Sequence, residues 1–153
     1  MAKVLLVYDT KYGNTKLVAE KIMEGMKEVE GIETGITDVE EVDLGKVADS
    51  DAILIGSPNH IGNVAHNIEK FIDRLGKLDL KAKWVAVFNT HMMNDERVQA
   101  KMEKRIGEKV PGLKLITPGL SIKVNGIKGP VAEGELPKCV DFGKKIANQL
   151  RQT

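Results

Sequence analysis

The sequence has one cysteine among 153 residues, and aromatic residues make up only 4% of it, with a single tryptophan. One cysteine, Cys139, excludes an internal disulfide framework and fits a reducing compartment. No histidine stands near it in sequence to lower its pKa, so it reads as a small buried residue of a helix and not as a nucleophile. No apolar run approaches the roughly 20 residues that span a bilayer. Met1-Ala2-Lys3 leads directly into a strand, with no signal-peptide core. These features predict a cytoplasmic protein that uses no membrane. The formal net charge is +1, and nucleic-acid binding would need a strongly basic domain with interleaved aromatics. Nucleic acid is therefore not an expected partner. Neither G-x-x-x-x-G-K-[ST] nor G-x-G-x-x-G occurs, which disfavours nucleotide hydrolysis. Three separated histidines and one distant cysteine give no recognised metal-ligand spacing.

What is present is a hydrophobic fraction of 42%, enough for one globular domain spanning residues 1–153 with a sizeable core. The charges are uneven, with 6 basic and 11 acidic residues in 1–50 against 11 basic and 5 acidic in 101–153. The lysines are spread over helical segments with glutamate partners and read as solvated faces. Apolar spacing predicts strands at 3–8, 32–38, 52–57, 84–89 and 114–124, the last with a break, and helices at 14–29, 63–75, 95–109 and 136–151. Residues 45–50 are only weakly helical. Ala52-Ile53-Leu54-Ile55 and Val85-Ala86-Val87-Phe88 are continuous apolar runs, as expected of strands covered on both faces. Gly31, Gly76 and Pro111-Gly112 are helix stops. The alternation implies an α/β fold, a doubly wound five-stranded parallel sheet of order 2-1-3-4-5 with helices on both faces.

In such a sheet, ligands sit beyond the carboxyl ends of the strands, at the switch in strand order. Three loops fall there. The first, Thr10-Lys11-Tyr12-Gly13-Asn14-Thr15, lies between a strand and a helix, where backbone amides, hydroxyls and the helix dipole suit a phosphate. The same residues would serve an ordinary strand-to-helix turn with Asn14 as N-cap and Gly13 at positive φ. The second is Ser57-Pro58-Asn59-His60-Ile61-Gly62-Asn63, and the third is Asn89-Thr90-His91-Met92-Met93-Asn94. Small, amide and hydroxyl residues crowd all three and suit a polar ligand with a flat apolar part. His66, on the second predicted helix, reads as a partly exposed helix residue. A receiver-like signalling domain would need an aspartate at the end of the third strand, where Ser57 and Pro58 stand instead.

Thr10-Lys11-Tyr12-Gly13-Asn14-Thr15 resembles the phosphate signature T/S-x-x-G-N-T of the flavodoxin family. Gly56-Ser57-Pro58-Asn59-His60-Ile61-Gly62-Asn63 is similar to the second flavin loop, G-S/T-P-x-x-x-G-N, of flavodoxin-fold quinone reductases. Gly129-Pro130-Val131-Ala132-Glu133-Gly134-Glu135-Leu136 is similar to an acidic lead-in to the last helix. The resemblance implies FMN, with its phosphate in the first loop and its isoalloxazine ring between the second and third. It implies a low-potential electron carrier between redox proteins, a reductase or ferredoxin-like donor and an unidentified acceptor, with an NAD(P)H-dependent quinone or flavin reductase as the alternative. The cofactor-binding residues it implies are Thr10, Lys11, Tyr12, Gly13, Asn14 and Thr15 in the first loop. They continue with Ser57, Pro58, Asn59, His60, Ile61, Gly62 and Asn63 in the second, and Asn89, Thr90, His91 and Met92 in the third. Gly62 is the family's candidate for a peptide that turns when the flavin N5 is protonated. The usual stacking aromatics are replaced by His60, Ile61, His91, Met92 and Met93. Trp84 belongs at the opposite end of the sheet, in a packing role. The near-neutral charge, with Lys11, His60 and His91 able to stand close to the ring or phosphate, implies a less depressed second one-electron potential than in strongly acidic relatives.

Overall fold

The computed structural model describes residues 1–92 and 97–152. Its elements are β1 Ala2–Tyr8, α1 Asn14–Lys27, β2 Ile32–Asp38, α2 Leu44–Ala48 and β3 Ala52–His60, then β4 Asn63–Val64 and α3 His66–Leu75. There follow β5 Trp84–His91, α4 Arg97–Lys109, β6 Lys114–Leu115, β7 Leu120–Lys123 and α5 Leu136–Arg151. The sheet runs β2-β1-β3-β5-β6, all parallel, with β7 parallel to β5 on the same edge as β6. Five positions across the sheet thus follow the predicted order 2-1-3-4-5, and the fifth is a strand in two pieces. β6 pairs with Trp84 and Val85, whereas β7 pairs with the stretch from Phe88 to His91.

Strand alternation divides the core into two layers. Val4, Leu6, Leu54, Ala86 and Phe88 face α1 and α5, while Leu5, Val7, Ile53, Ile55, Val85 and Val87 face α2, α3 and α4. The central strands are apolar throughout because both their faces are covered. Leu6, Ile53, Leu54 and Ile55 are fully buried, each worth about 1.5–3 kcal/mol relative to exposure. On the first layer α1 and α5 approach so closely that a Cβ on Gly25 would overlap the Val140 carbonyl, and one on Gly143 would overlap the Ile22 carbonyl. Trp84 opens β5 at the amino end of the sheet, with Lys114 over its ring at 5.0 Å from the centroid.

Two elements differ from the sequence-based expectation. The weak segment at 45–50 is α2, preceded by a single 3-10 turn at Val39–Glu41, and Asp38 and Asp43 cap the two by accepting from the Glu40 and Gly45 N–H groups. The helix expected from residue 63 starts at His66, because β3 continues to His60 and Asn63–Val64 folds back antiparallel onto it. Asn63 therefore belongs to a hairpin. Among the described residues no helix is long and apolar enough to cross a membrane.

Candidate functional site

The first loop leaves β1 and enters α1 through Gly13, whose φ of 91° is left-handed. Such a φ is open to glycine at no steric cost, and it makes Gly13 the helix cap. Asn14, the N-cap of the ordinary-turn reading, is instead the first helical residue. Thr10 Oγ1 accepts from the Gly13 N–H at 3.0 Å and closes the turn. The next N–H groups of α1 have no preceding turn of helix to accept them, and its first turn carries no acidic residue. This leaves an uncompensated positive end that suits an anion. Thr15 is buried and shares a hydrogen bond with Thr90 Oγ1 at 3.1 Å, tying the first loop to the third. Lys11 lies over the Tyr12 ring, 5.5 Å from its centroid.

The second loop is the turned end of the β3–β4 hairpin. Ile61 and Gly62, at φ 55° and 78°, form the two-residue tip, with positive φ at both positions as a type I′ turn requires. Gly62 N–H donates to Asn59 Oδ1 at 2.6 Å. A β-branched residue is out of place at such a φ, and Ile61 is 94% exposed, so no packing offsets the strain. Replacing Ile61 with glycine is expected to stabilise the fold by about 1 kcal/mol, the relieved strain outweighing the added chain entropy. Urea denaturation of the two proteins measures it.

These loops enclose a cleft of about 500 Å³ at the carboxyl ends of β1, β3 and β5, within the size range of cofactor sites. From the first loop it is lined by Thr10, Lys11, Tyr12, Asn14 and Thr15, and from the second by Pro58, Asn59, His60, Ile61 and Gly62. Thr90, His91 and Met92 complete the lining drawn from the sequence. Met93 and Asn94, at the end of the third loop, lie outside the described residues. His60 is exposed at the rim, whereas His91 is buried. Tyr12, Ile61 and Met92 leave large apolar surfaces uncovered at the mouth.

Four predicted residues do not line the cleft: Gly13, whose N–H is taken by Thr10 Oγ1, and Ser57, Asn89 and Asn63, whose side chains are held elsewhere. Ser57 and Asn89 point to the opposite face of the sheet from Thr90, because successive strand residues alternate. Ser57 Oγ accepts from Ala65 N–H at 2.9 Å and donates to the Pro58 carbonyl. Asn89 Nδ2 donates to Ser121 Oγ, which donates in turn to Gln99 Oε1, each at 2.9 Å. Asn89 Oδ1 is buried with no hydrogen-bond partner among the described residues. Asn63 Oδ1 accepts from Lys101 Nζ at 3.0 Å. Sequence reasoning missed Arg97, Val124, Gly126 and Ile127, which also line the cleft. The last three belong to the loop after the fifth strand, which the carboxyl-end rule selects as it does the other loops. Gly129 of this loop packs against the Asn14 amide, leaving no room there for a Cβ. Arg97 carries no such sequence signal.

Charge around the cleft is divided. Burial raises the Asp9 carboxyl above the usual range, against the Thr10 N–H that donates to it at 3.0 Å, and Asp38 and Glu40 add to the rise. Burial also disfavours ionisation of Glu135, but Lys138, the Lys123 N–H and His91 outweigh it and lower its pKa. Glu135 accepts from Lys123 N at 2.9 Å and pairs with Lys138 Nζ at 2.6 Å. The acidic lead-in thereby joins β7 to the start of α5. Burial pushes the Cys139 thiol up to about 12, so it stays protonated and inert.

Comparison with known proteins agrees with this geometry: a family model described as a flavodoxin domain matches residues 5–122. The chain belongs to the flavodoxin family. A flavodoxin of Aquifex aeolicus is 40% identical over 73 residues, covering 48% of this chain and 40% of that protein. An NAD(P)H dehydrogenase (quinone) of Geotalea uraniireducens is 31% identical over 107 residues, covering 54% of this chain and 53% of that one. The chain spans about half the length of the curated relatives it matches. Among solved structures, oxidised flavodoxin 2 of Bacillus cereus is 28% identical with a TM-score of 0.81, covering 97% of this chain and 99% of that one.

Proposed function

We propose that this flavodoxin-family chain, read as one domain over residues 1–153, binds FMN in the cleft. We further propose that it works as a low-potential electron carrier in the cytoplasm, taking electrons from a reductase or ferredoxin-like donor and passing them to another redox protein. The observation that carries this reading is the uncompensated amino end of α1. It opens beside the Thr10, Thr15 and Asn14 side chains into a cleft whose other walls are largely apolar. That donor set fits the group. A phosphate dianion needs N–H and hydroxyl donors, and a flat ring needs apolar faces with a few polar groups at its edge. Thr10, Lys11, Tyr12, Gly13, Asn14 and Thr15 would hold the phosphate. Pro58, Ile61 and Met92 offer apolar contact by dispersion where relatives use aromatics, and Asn59, His60 and His91 offer polar edges. FMN, when bound, supplies the one-electron chemistry, and the protein tunes it through contacts and charge. Lys11 and the histidines support a less depressed second potential. The purified protein is expected to be yellow, to release FMN on denaturation and to take up one equivalent of added FMN after stripping. A colourless protein that takes up none would overturn the reading.

The second-loop sequence and the quinone-dehydrogenase relative support a second reading, an NAD(P)H-dependent quinone or flavin reductase. Loss of the flavin's visible absorbance on adding NADPH without a reductase favours the enzyme; a stable spectrum favours the carrier.

A further inference from the structure

The second wall of the cleft is held in place from outside the three loops. Its tip puts an exposed isoleucine in the left-handed region, and β4 contributes only two residues to the hairpin. A hairpin of that size is not stable by itself, and a strained conformation persists only where its surroundings impose it. Two side chains of α4 do so. Lys101 Nζ donates to the Gly62 carbonyl at 2.7 Å and to Asn63 Oδ1 at 3.0 Å, across 39 and 38 positions of sequence. One turn earlier, on the same helix face, the Arg97 guanidinium lies against Gly62, in the space a Cβ there would occupy. With Asn59 Oδ1 taking the Gly62 N–H, both polar groups of Gly62 are bound to side chains.

We propose that Lys101 is a positioning residue, which with Arg97 clamps the Ile61-Gly62 tip in its left-handed form and so presets the second wall of the cleft. Preorganisation of this kind removes an ordering cost from ligand binding. The clamp stands on the geometry alone, and its effect on binding rests on the FMN reading. A lysine on a helix surface would ordinarily be a solvated charge. Here its ammonium bridges two acceptors, the Gly62 carbonyl and Asn63 Oδ1, at the turn whose Ile61 and Gly62 line the cleft.

The test compares the wild type, Lys101→Met and Lys101→Arg, stripped of flavin, by amide hydrogen exchange, and then titrates each with FMN. In Lys101→Met, the Gly62 and Asn63 amides are expected to exchange about tenfold faster, the loss of one charge-assisted bond's worth of protection. Amides of β1 should be unchanged, and the dissociation constant for FMN should rise about tenfold. Lys101→Arg, which keeps donors at the site, should recover most of both effects. Unchanged exchange at Gly62 and Asn63 overturns the clamp, and so does a rise spread evenly over β1, which would mark general destabilisation. Faster exchange with unaltered FMN affinity overturns the positioning role. A wild type that takes up no FMN defeats the functional reading, while the exchange result still decides the clamp.

Discussion

Alanine at Gly143 is expected to destabilise the protein by about 2–3 kcal/mol, whereas the same substitution at Gly107 stabilises it by about 1 kcal/mol. Both glycines lie within helices, α5 and α4, where alanine is the better helix former by about 1 kcal/mol. At Gly107 no atom of the described residues stands within 4 Å of the new methyl group, so the propensity gain is realised in full. At Gly143 the methyl would overlap the Ile22 carbonyl and crowd the Met26 nitrogen. These atoms belong to the backbone of α1 and cannot turn aside as a side chain would. Relief requires the two helices to separate. That loosens the layer formed by Val18, Ile22, Met26, Cys139 and Ile146, and overpacking that only backbone movement can relieve lies at or just above the top of the usual range, about 3–4 kcal/mol. The clash exceeds the propensity gain and reverses the sign. For a chain of this length the Gly143→Ala loss corresponds to a fall in Tm of about 6–9 °C, measured by thermal unfolding of the stripped protein. Equal shifts in the two variants would show that the α1–α5 contact is looser than described.

The sheet order was legible because its central strands lie between two layers of helices. Ala52 to Ile55 and Val85 to Phe88 had to be continuously apolar, and such runs identify parallel strands without a structure. The phosphate-type loop was legible as a contiguous pattern at one strand end. The second loop was harder to read. Ile61 contradicts its own conformational preference, so local rules pointed from Gly62 straight into a helix, while the chain turns back at Ile61-Gly62 and starts α3 only at His66. Ser57 and Asn89 were selected as polar residues at strand ends. A one-residue difference in position sends them to the α3–α4 face, while Pro58 and Thr90 meet the cleft. Arg97 and Lys101 had no sequence signal, because a basic pair four residues apart on an amphipathic helix reads as a solvated stripe. Only the packing of α4 beside β4 brings them to the hairpin.

Aspartate at Asn14 is expected to weaken FMN binding about 100-fold while leaving riboflavin binding almost unchanged. The replacement is close to isosteric, so the contact with Gly129 is kept. Its charge has opposite consequences in the two states. Without ligand, an acid in the first turn of α1, which now has none, complements the helix dipole and adds about 0.3–1 kcal/mol of stability. In the proposed FMN complex the carboxylate would face a phosphate of about −1.5 to −2 charge. Like charges brought together at a binding site cost several kcal/mol, roughly 4 kcal/mol for unit charges 4 Å apart near a protein surface. Screening and side-chain rotation reduce this to about 2–3 kcal/mol, the origin of the 100-fold estimate. Asn14→Ala removes the amide without adding charge and should cost only about tenfold. The difference between Asp and Ala variants should shrink as salt is raised. Fluorescence titration of the stripped variants with FMN and with riboflavin, alongside their melting curves, reads all of these effects. Equal losses for the two ligands would mean that Asn14 acts through the loop at Gly129, and an Asp variant no weaker than Ala would remove the phosphate from the amino end of α1.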